Sequence, residues 1–410
     1  MSSLKYWAWL SSLEGIGAKM KGDAIRQLGS AERVFFARED ELRRIPDIKQ
    51  SEVRALCDKD LRMSNYILAK CQEIGCRLLT ISDAEYPSRL RNIFDPPIVL
   101  YLRGTLPVID EEPVVGIVGT RSCTPYGLRV AEDVGFGLAK RGLIVTTGMA
   151  KGVDTASALG ALRGGGRVIG VLGGGIDVTY PRENAGLFED VAVRGALISE
   201  YPPGTEPIGG HFPVRNRIIS GISLGVAVIE APLRSGALIT ASRALEQGRD
   251  VFSLPGNVDS SSSAGTNRLL QEGAIPILGA QDIAREYEAL FPDKISVSAK
   301  NIPLDKNMEQ RLVKAQLPDK RRRDSTKLEI DNGAGVVYID HKKAAEALAE
   351  PDRSIYLAVA DLSGAGGAYL DDIVARTEMP AGELLAALTM LELDGLVRDC
   401  GGGLFTTAQD

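Results

Sequence analysis

Hydrophobic positions recur with helical spacing over the first 80 residues. The stretches LKYWAWLSSL, KMKGDAIRQLG and SEVRALC follow one another and are separated by short polar breaks. Apolar residues three and four positions apart are typical of amphipathic helices. No segment here alternates convincingly as a strand would, so we predict a small all-helical domain over residues 1–80.

Further along, the pattern changes to short apolar runs that end in glycine or a turn, with helical stretches such as YGLRVAEDVGFGLAKRG between them. Alternation of strands and helices predicts right-handed βαβ crossovers and a largely parallel sheet. We therefore predict an α/β, Rossmann-like domain over residues 81–290, with ligand contacts at the carboxyl ends of its strands. The predicted strands are Val114–Gly119, Leu143–Gly148, Arg167–Gly175, Ala196–Glu200, Gly225–Glu230 and Asp250–Leu254.

The last 120 residues divide into two regions. Residues 291–350 carry the basic run KRRR and little periodicity, which predicts a flexible linker. Residues 351–410 contain three helical stretches followed by the glycine-rich tip CGGGLFT, the arrangement of a winged-helix domain. Because this segment is acidic, its charge favours protein contact or regulation over DNA binding, although a nucleic-acid role stays open.

The charge balance limits how a polyanion can be bound. Lys and Arg number 48 against 54 Asp and Glu, a formal net charge of −6. The field of the whole chain repels nucleic acid, so a nucleic-acid partner requires a local basic patch.

Cysteine and histidine usage narrows the chemistry and the compartment. The chain has five cysteines without a CxxC pair, which predicts free thiols in a reducing compartment. Its two histidines, His211 and His341, lie far apart in the sequence, which argues against a zinc site. No signal peptide and no apolar run near 18 residues is apparent, so we expect a cytoplasmic protein without membrane contact.

The segment VVGIVGTRSCTPYG carries the strongest candidate chemistry. A predicted buried strand ends at Gly119, Thr120 and Arg121, and a helix is expected from about Tyr126. Backbone amides at such a turn, together with an arginine fork, can hold an anion such as phosphate. A structural turn with a solvated arginine is the alternative. The sequence contains neither GxGxxG nor a P-loop, which disfavours dinucleotide and ATPase sites.

Further glycine turns and a basic element follow. Lys151 lies in TGMAKGVD and Arg182 ends GGGIDVTYPR, and such turns at neighbouring strand ends can converge on one crevice. In HFPVRNRIIS, the triplet Arg215, Asn216 and Arg217 surrounds a predicted helix start. Arginines there are unfavourable unless an anion is bound, which favours a phosphate partner. For Phe212, stacking on a base and packing in the core remain equally open.

These motifs, in order, resemble the DNA-processing protein A family (DprA, also called Smf), and the resemblance covers residues 86–290. It implies a non-enzymatic protein without a cofactor that dimerises through its Rossmann-like domain and protects incoming single-stranded DNA. It also implies loading of the RecA recombinase in natural transformation, with the single-strand binding protein as a further candidate partner. The ends resemble the family's sterile-alpha-motif-like and winged-helix domains. The matching motifs are VGTRSCTPYG, TGMAKGVDTASA, IGVLGGGIDVTYPREN, LISEYPPGT, FPVRNRIISG, VIEAPLRSGALITASRALEQGRDVFSLPG and GTNRLLQEGA.

The resemblance also implies a DNA-binding set. Its members are Gly119, Thr120 and Arg121 for the glycine-serine-arginine turn, Arg182 for the basic residue after Tyr-Pro, Arg215, Asn216 and Arg217 for the arginine-asparagine-arginine element, and Lys151 as a weaker addition. Thr120 replaces the usual serine and keeps its hydroxyl. Gly209 and Gly210 stand where some members carry a basic or aromatic residue.

Two other functions compete with DNA binding. The fold is similar to that of lysine-decarboxylase-like nucleotide hydrolases, whose phosphate loop reads PGGxGT and precedes a catalytic glutamate. Here the corresponding segment reads RSGALITASRALE, which keeps Glu246 and lacks the double glycine. The third possibility is a scaffold that binds protein partners through the winged helix.

Overall fold

A computed structural model describes residues 3–296 continuously, and then residues 348, 350–362, 368–377, 379–393, 396–399 and 404–407. Most of the predicted linker, including its KRRR run, lies outside the described residues, as do His341 and Cys400. The described residues belong to two compact units, one up to residue 296 and one from residue 348.

Six helices form the N-terminal segment, as the helical pattern predicted. They are α1 Leu4–Ser12, α2 Ala18–Leu28, α3 Ala31–Phe36, α4 Glu39–Leu42, α5 Gln50–Cys57 and α6 Arg62–Glu73. Trp9 fills their centre, with its ring edge-on to Phe35 and its indole nitrogen donating to the Asp58 carbonyl at 2.8 Å. Because that bond satisfies the only polar atom of the side chain, the tryptophan can be buried completely.

Nine strands form the sheet of the first unit, in the order β1-β2-β6-β5-β4-β3-β7-β8-β9. They are β1 Arg77–Thr80, β2 Val99–Gly104, β3 Val114–Val118, β4 Ile144–Thr147, β5 Val168–Leu172, β6 Ala196–Ser199, β7 Gly225–Val228, β8 Asp250–Ser253 and β9 Ile275–Pro276. The six predicted strands are β3 to β8, and each pairs in parallel with its neighbours among them, which confirms the α/β fold class. The sequence pattern missed β1 and β2, which add an antiparallel edge.

Helices cover both faces of this sheet. They are α7 Ser88–Arg91, α8 Pro125–Lys140, α9 Val153–Arg163, α10 Ala185–Arg194, α11 His211–Ile222, α12 Gly236–Glu246, α13 Ala264–Gln271 and α14 Ala280–Glu288, with 3₁₀ turns at Ile109–Glu111 and Arg182–Asn184. Successive residues of β3 enter opposite cores: Val115 and Ile117 pack in the cluster containing α8 and α9, whereas Val114 and Val118 pack in the cluster containing α11 and α12. A strand buried on both faces explains the continuous apolar run VVGIV.

Helices α8 and α9 approach each other at backbone distance. A Cβ atom on Gly135 would overlap the carbonyl oxygen of Ser157, and one on Gly160 would overlap that of Glu132. Only glycine allows this approach, so these two positions fix how closely α9 lies beside α8.

The strand order reverses at β3. The chain proceeds from β3 to β4, β5 and β6 on one side, and then returns to place β7 and β8 on the other side. In open α/β sheets, ligands bind beyond the carboxyl ends of the strands at such a switch point. The topology therefore points to the loops that follow β3 and β7.

The second unit contains three helices and a small sheet. The helices are Asp352–Leu362, Leu370–Thr377 and Ala381–Leu393, and the strands β10 Ala368–Tyr369, β11 Val397–Asp399 and β12 Leu404–Thr407 pair in the order β10-β12-β11. Ile355, Val359, Leu384, Leu388 and Phe405 form its core. The helices and the terminal strand pair agree with the predicted winged-helix fold.

Candidate nucleic-acid interface

A cavity of about 560 Å³ opens at the switch point. The turn Gly119–Ser122 after β3 forms part of its wall, and the segment Arg234–Ala237, where α12 begins, forms another part. Residues of α11 line it as well. We call this space the switch-point cavity.

The turn after β3 is held by the neighbouring strand. Thr120 donates its amide to the Glu230 carbonyl at 2.7 Å, and its hydroxyl accepts the Ser122 amide at 3.3 Å. The Thr120 hydroxyl, which threonine shares with the serine that is usual at this position, thus stabilises the turn. A Cβ atom on Gly119 would lie 2.5 Å from a methyl of Val153, so glycine is required for α9 to pack here. Arg121 extends from this turn and is exposed.

An aromatic ring lies under the Arg121 guanidinium. The carbon at the centre of that group is 4.8 Å from the ring centroid of Phe212, which is half-buried and lines the cavity. Tyr180 approaches the same ring at 5.7 Å between centroids. The neighbouring His211 stacks on Tyr201 at 4.0 Å and contacts the Gly173 carbonyl at 3.1 Å. Of the adjacent rings of His211 and Phe212, the ring of Phe212 is the one that lines the cavity.

Arg215 forms a buried cationic floor. It is 3% exposed and donates to the carbonyl oxygens of Gly148, at 2.7 Å, and Val171, while its Nε atom is buried without a partner. Burial lowers the pKa of Arg215 to about 10, so it remains charged at neutral pH. A Cβ atom on Gly148 would lie 2.5 Å from this guanidinium, which explains the glycine in TGMAKG.

A carboxyl group shares the cavity with these cations. Asp154 lines it, is 6% exposed, and accepts the Ala150 amide at 3.3 Å. Burial raises the pKa of Asp154 to about 6, against the opposing attraction of Arg215. Asn216 lines another wall, where its amide donates to the Gly236 carbonyl at 3.3 Å.

Arg217 is placed differently from the prediction. Its Nη1 and Nη2 atoms each donate to the Glu200 carboxylate at 2.8 Å, its Nε atom lies 3.1 Å from Asp95, and it is 2% exposed. Burial, the largest single influence, opposes its charge, but Glu200 and Asp95 together outweigh burial and raise the pKa of Arg217. The phosphate contact of Arg217 stays a prediction that this geometry does not support, because α11 begins at His211 and its second turn directs only Arg215 and Asn216 to the cavity.

The two remaining predicted residues lie outside the switch-point cavity. Lys151 is exposed, pairs with Glu183, and lines a separate cavity beside it. Arg182 is exposed at the start of a 3₁₀ turn, two residues after Tyr180. Of the predicted set, the structure therefore brings together Gly119, Thr120, Arg121, Arg215 and Asn216.

The sequence interpretation overlooked Arg234. This exposed residue lines the cavity and precedes Ser235, whose side chain caps α12 by accepting the Ala237 amide at 3.2 Å. A cation directly before the start of a helix indicates an anion site, and the same reasoning led to Arg215 and Arg217. Asp154 had no signal in the sequence, because its position depends on how α9 packs.

The structure also bears on other chemistries. Glu246 lies at the carboxyl end of α12, pairs with Arg243 at 2.8 Å, and is not part of the cavity at the amino end of that helix. Among the described residues, no cluster of three metal-ligating side chains occurs and no helix is long and apolar enough to cross a bilayer. The four cysteines in the described part of the chain, Cys57, Cys71, Cys76 and Cys123, are free thiols.

Comparison with known proteins identifies relatives over the whole chain. The sequence profile of the DNA recombination-mediator protein A family matches residues 77–288, and that of the DprA winged helix domain matches residues 343–403. The DNA processing protein DprA of Bacillus subtilis is 42% identical over 220 residues, which are 54% of this chain and 74% of that protein. Protein Smf of Synechocystis is 34% identical over 408 residues, 97% of this chain and 96% of that one. The X-ray structure of DprA from Streptococcus pneumoniae superposes with a TM-score of 0.62 at 33% identity, covering 69% of this chain and 97% of that one.

Proposed function

The chain belongs to the DNA recombination-mediator protein A family, and from this premise we propose that it binds single-stranded DNA in the switch-point cavity and loads RecA onto it. The observation that carries the proposal is the ring of Phe212, whose centroid lies 4.8 Å from the guanidinium carbon of Arg121 and 5.9 Å from that of Arg215. Proteins that bind single strands combine aromatic rings, on which bases stack, with cations that hold the backbone. Both kinds of group meet here in one cavity.

The shape of the site favours a single strand over a duplex. In a duplex the bases are paired and stacked inside the helix, and their faces are unavailable to a protein ring. A flexible strand can turn one base into the cavity and keep its phosphates near the rim, where Arg121 and Arg234 are exposed. A cavity of about 560 Å³ lies within the range of about 300–1,000 Å³ that is usual for small-ligand sites.

The charge distribution supports the same function. The net charge of −6 opposes non-specific attraction of DNA, whereas three arginines and one buried carboxyl group concentrate positive charge in the cavity. Binding therefore depends on this local cluster. We assign Gly119, Thr120, Arg121, Arg215 and Asn216 to the contact set, place Lys151 and Arg182 on the path of the strand outside the cavity, and give Arg217 a positioning role.

The wider biological role follows from the family. We propose that the protein acts in the cytoplasm during natural transformation, protects incoming single strands, and displaces the single-strand binding protein as RecA loads. A homodimer formed through the Rossmann-like domain would place two cavities on one strand and increase affinity through effective concentration. We propose no catalytic step, and the position of Glu246 outside the cavity supports this choice over a nucleotide hydrolase.

The proposal is tested with purified protein and a labelled oligo-dT by fluorescence anisotropy. Arg121→Ala and Phe212→Ala should each weaken binding about tenfold or more. The matched control is Arg285→Ala, which removes an exposed arginine of α14 outside the cavity. In a second step, RecA ATP hydrolysis on strands coated with single-strand binding protein should rise on adding the unsubstituted protein and much less with Arg121→Ala. Equal binding by all variants would refute the site.

A further inference from the structure

A second cavity lies beside the switch-point cavity, with a volume of about 330 Å³. Its apolar walls come from Cys123 and Leu128 on one side and from Ala156 and Leu159 on the other. We call it the helix cavity, because it lies between the amino-terminal parts of α8 and α9. None of the residues that form its apolar walls lines the switch-point cavity.

The two cavities share a ridge. Arg121 and Ser122 line both of them. On α9 and the turn before it, Ala150 and Asp154 face the switch-point cavity, whereas Lys151, Thr155, Ala156 and Leu159 face the helix cavity. A strand that leaves Phe212 and crosses the ridge at Arg121 therefore arrives at the helix cavity.

The rim of the helix cavity carries a cation that is available for phosphate. Lys151 has a side chain that is 59% exposed, and it pairs with Glu183, which is 56% exposed. An ion pair exposed to this degree contributes little to stability, so Lys151 can exchange Glu183 for a phosphate at small cost. With Arg121 at the ridge, two cations thus border an opening into an apolar space.

The polar groups near the apolar walls are already occupied within the protein. The Thr155 hydroxyl donates to the Ala150 carbonyl at 2.7 Å, and the Asn184 amide donates to Thr155 at 2.8 Å and to the Met149 carbonyl at 3.0 Å. Glu132 pairs with Arg163. An occupant of this cavity is therefore held by apolar contact, and these polar groups do not select among occupants by hydrogen bonding.

Resting on the proposed function, we propose that the helix cavity receives the base of a neighbouring nucleotide of the same single strand, whose phosphate lies between Arg121 and Lys151. The volume, at the lower end of the usual range for small-ligand sites, suits one planar heterocycle. Apolar capture tolerates any base, as general strand binding requires. The protein thus binds two bases that are unstacked from their neighbours in the strand, one on the ring of Phe212 and one in the helix cavity.

The test uses oligo-dT that carries a single 2-aminopurine at successive positions. This base is quenched when it stacks on an aromatic ring and bright when it is unstacked in an apolar space. With the unsubstituted protein, one position should be quenched by Phe212, and a neighbouring one should be bright and protected from acrylamide. Quenching at the first position together with solvent-like emission at every neighbour would overturn the proposal while leaving the proposed function intact.

Variants of Ala156 test the same cavity independently. Ala156→Leu fills it, so the bright position should become accessible to acrylamide and affinity for a long oligo-dT should fall about tenfold. Affinity for an oligo-dT too short to cross the ridge should stay unchanged, which also shows that the variant is folded. Ala156→Ser keeps the space open and serves as the control.

Measurements on the same samples distinguish two further outcomes. If Ala156→Leu instead changes the oligomeric state in sedimentation and leaves strand binding unaltered, a second copy of the chain occupies the cavity and the proposal is wrong. If neither short nor long oligo-dT binds the unsubstituted protein, the proposed function itself fails and the base site fails with it.

Discussion

The guanidinium of Arg121 lies over the ring of Phe212, 4.8 Å from its centroid, and both residues line the switch-point cavity. Arg121 is exposed, and no carboxylate within the described residues forms an ion pair with it. A cation that rests on an aromatic ring and has no ion pair among the described residues can move aside for a base and then stack on the base's other face. The pair therefore provides a binding position for one nucleotide.

Removing the Phe212 ring should weaken strand binding. Base stacking on an aromatic side chain contributes about 1–3 kcal/mol, so Phe212→Leu should raise the Kd for oligo-dT at least about fivefold. Phe212→Tyr keeps the ring and should bind nearly as the original protein does. Anisotropy titrations at one salt concentration measure both, and equal losses in the two variants would show that stacking is not the cause.

Substitution of Arg217 should lower the stability of the fold, whereas substitution of Arg121 should weaken only strand binding. Arg217→Ala leaves Glu200 and Asp95 without their cation, and we expect the free energy of unfolding to fall by about 3 kcal/mol. This is the lower end for broken buried pairs, because the two carboxylates keep 20% and 34% exposure. Arg121→Ala should leave urea unfolding unchanged while strand binding weakens about tenfold or more. A stable Arg217→Ala protein that fails to bind DNA would instead support the predicted phosphate contact of Arg217.

Sequence and structure diverge most at the triplet Arg215, Asn216 and Arg217. In the sequence the two arginines are equivalent cations, but a two-residue step on a helix turns them to different sides, and only one faces the cavity. Glu200 and Asp95, which hold Arg217, come from distant segments whose proximity no local pattern shows.

The fold was more predictable than the site. Strands β3 to β8 are apolar and end at turns, so their pattern is unambiguous. The edge strand β1 lies next to helical segments and lacks a glycine turn, whereas β2 ends at Gly104 and its apolar run VLYLRG carried a signal that the sequence interpretation overlooked. Phe212 stayed ambiguous between core and ligand contact because the sequence cannot show which face of α11 covers the sheet.

Strand binding should tighten as the pH falls towards 6. Burial raises the pKa of Asp154 to about 6, above the ordinary value of about 3.9, and a nearby phosphate disfavours the ionised form further. Binding is thus linked to proton uptake, and affinity should rise by up to about tenfold per pH unit below neutrality.

The variant Asp154→Asn isolates this effect. It should bind oligo-dT more tightly than the original protein at about pH 7.5 and lose the dependence on pH, since Arg215, with a pKa of about 10, stays charged throughout. Titrations between about pH 5.5 and 7.5 measure it. A pH profile shared by both proteins would assign the linkage to another group.

Gly209 offers a substitution that should increase affinity. It lines the switch-point cavity, and a Cβ atom placed on it meets no atom within 4 Å. Gly209→Lys adds a cation there without a steric clash, so the salt dependence of binding should steepen by about 0.7 in slope and the Kd should fall. Gly209→Ala is the control for the backbone, and improvement by alanine alone would point to rigidity instead of charge.

The central claim is tested most directly by the salt dependence of binding to oligo-dT and to a matched duplex, with Arg121→Ala and Arg285→Ala measured in parallel. The account predicts strong, salt-sensitive binding to the single strand and much weaker binding to the duplex. It also predicts that the slope of log K against log salt becomes less steep by about 0.7 in Arg121→Ala. Arg285→Ala should leave the affinity for the single strand close to that of the original protein. Equal affinity for duplex and single strand, or a slope unchanged by Arg121→Ala, would contradict it.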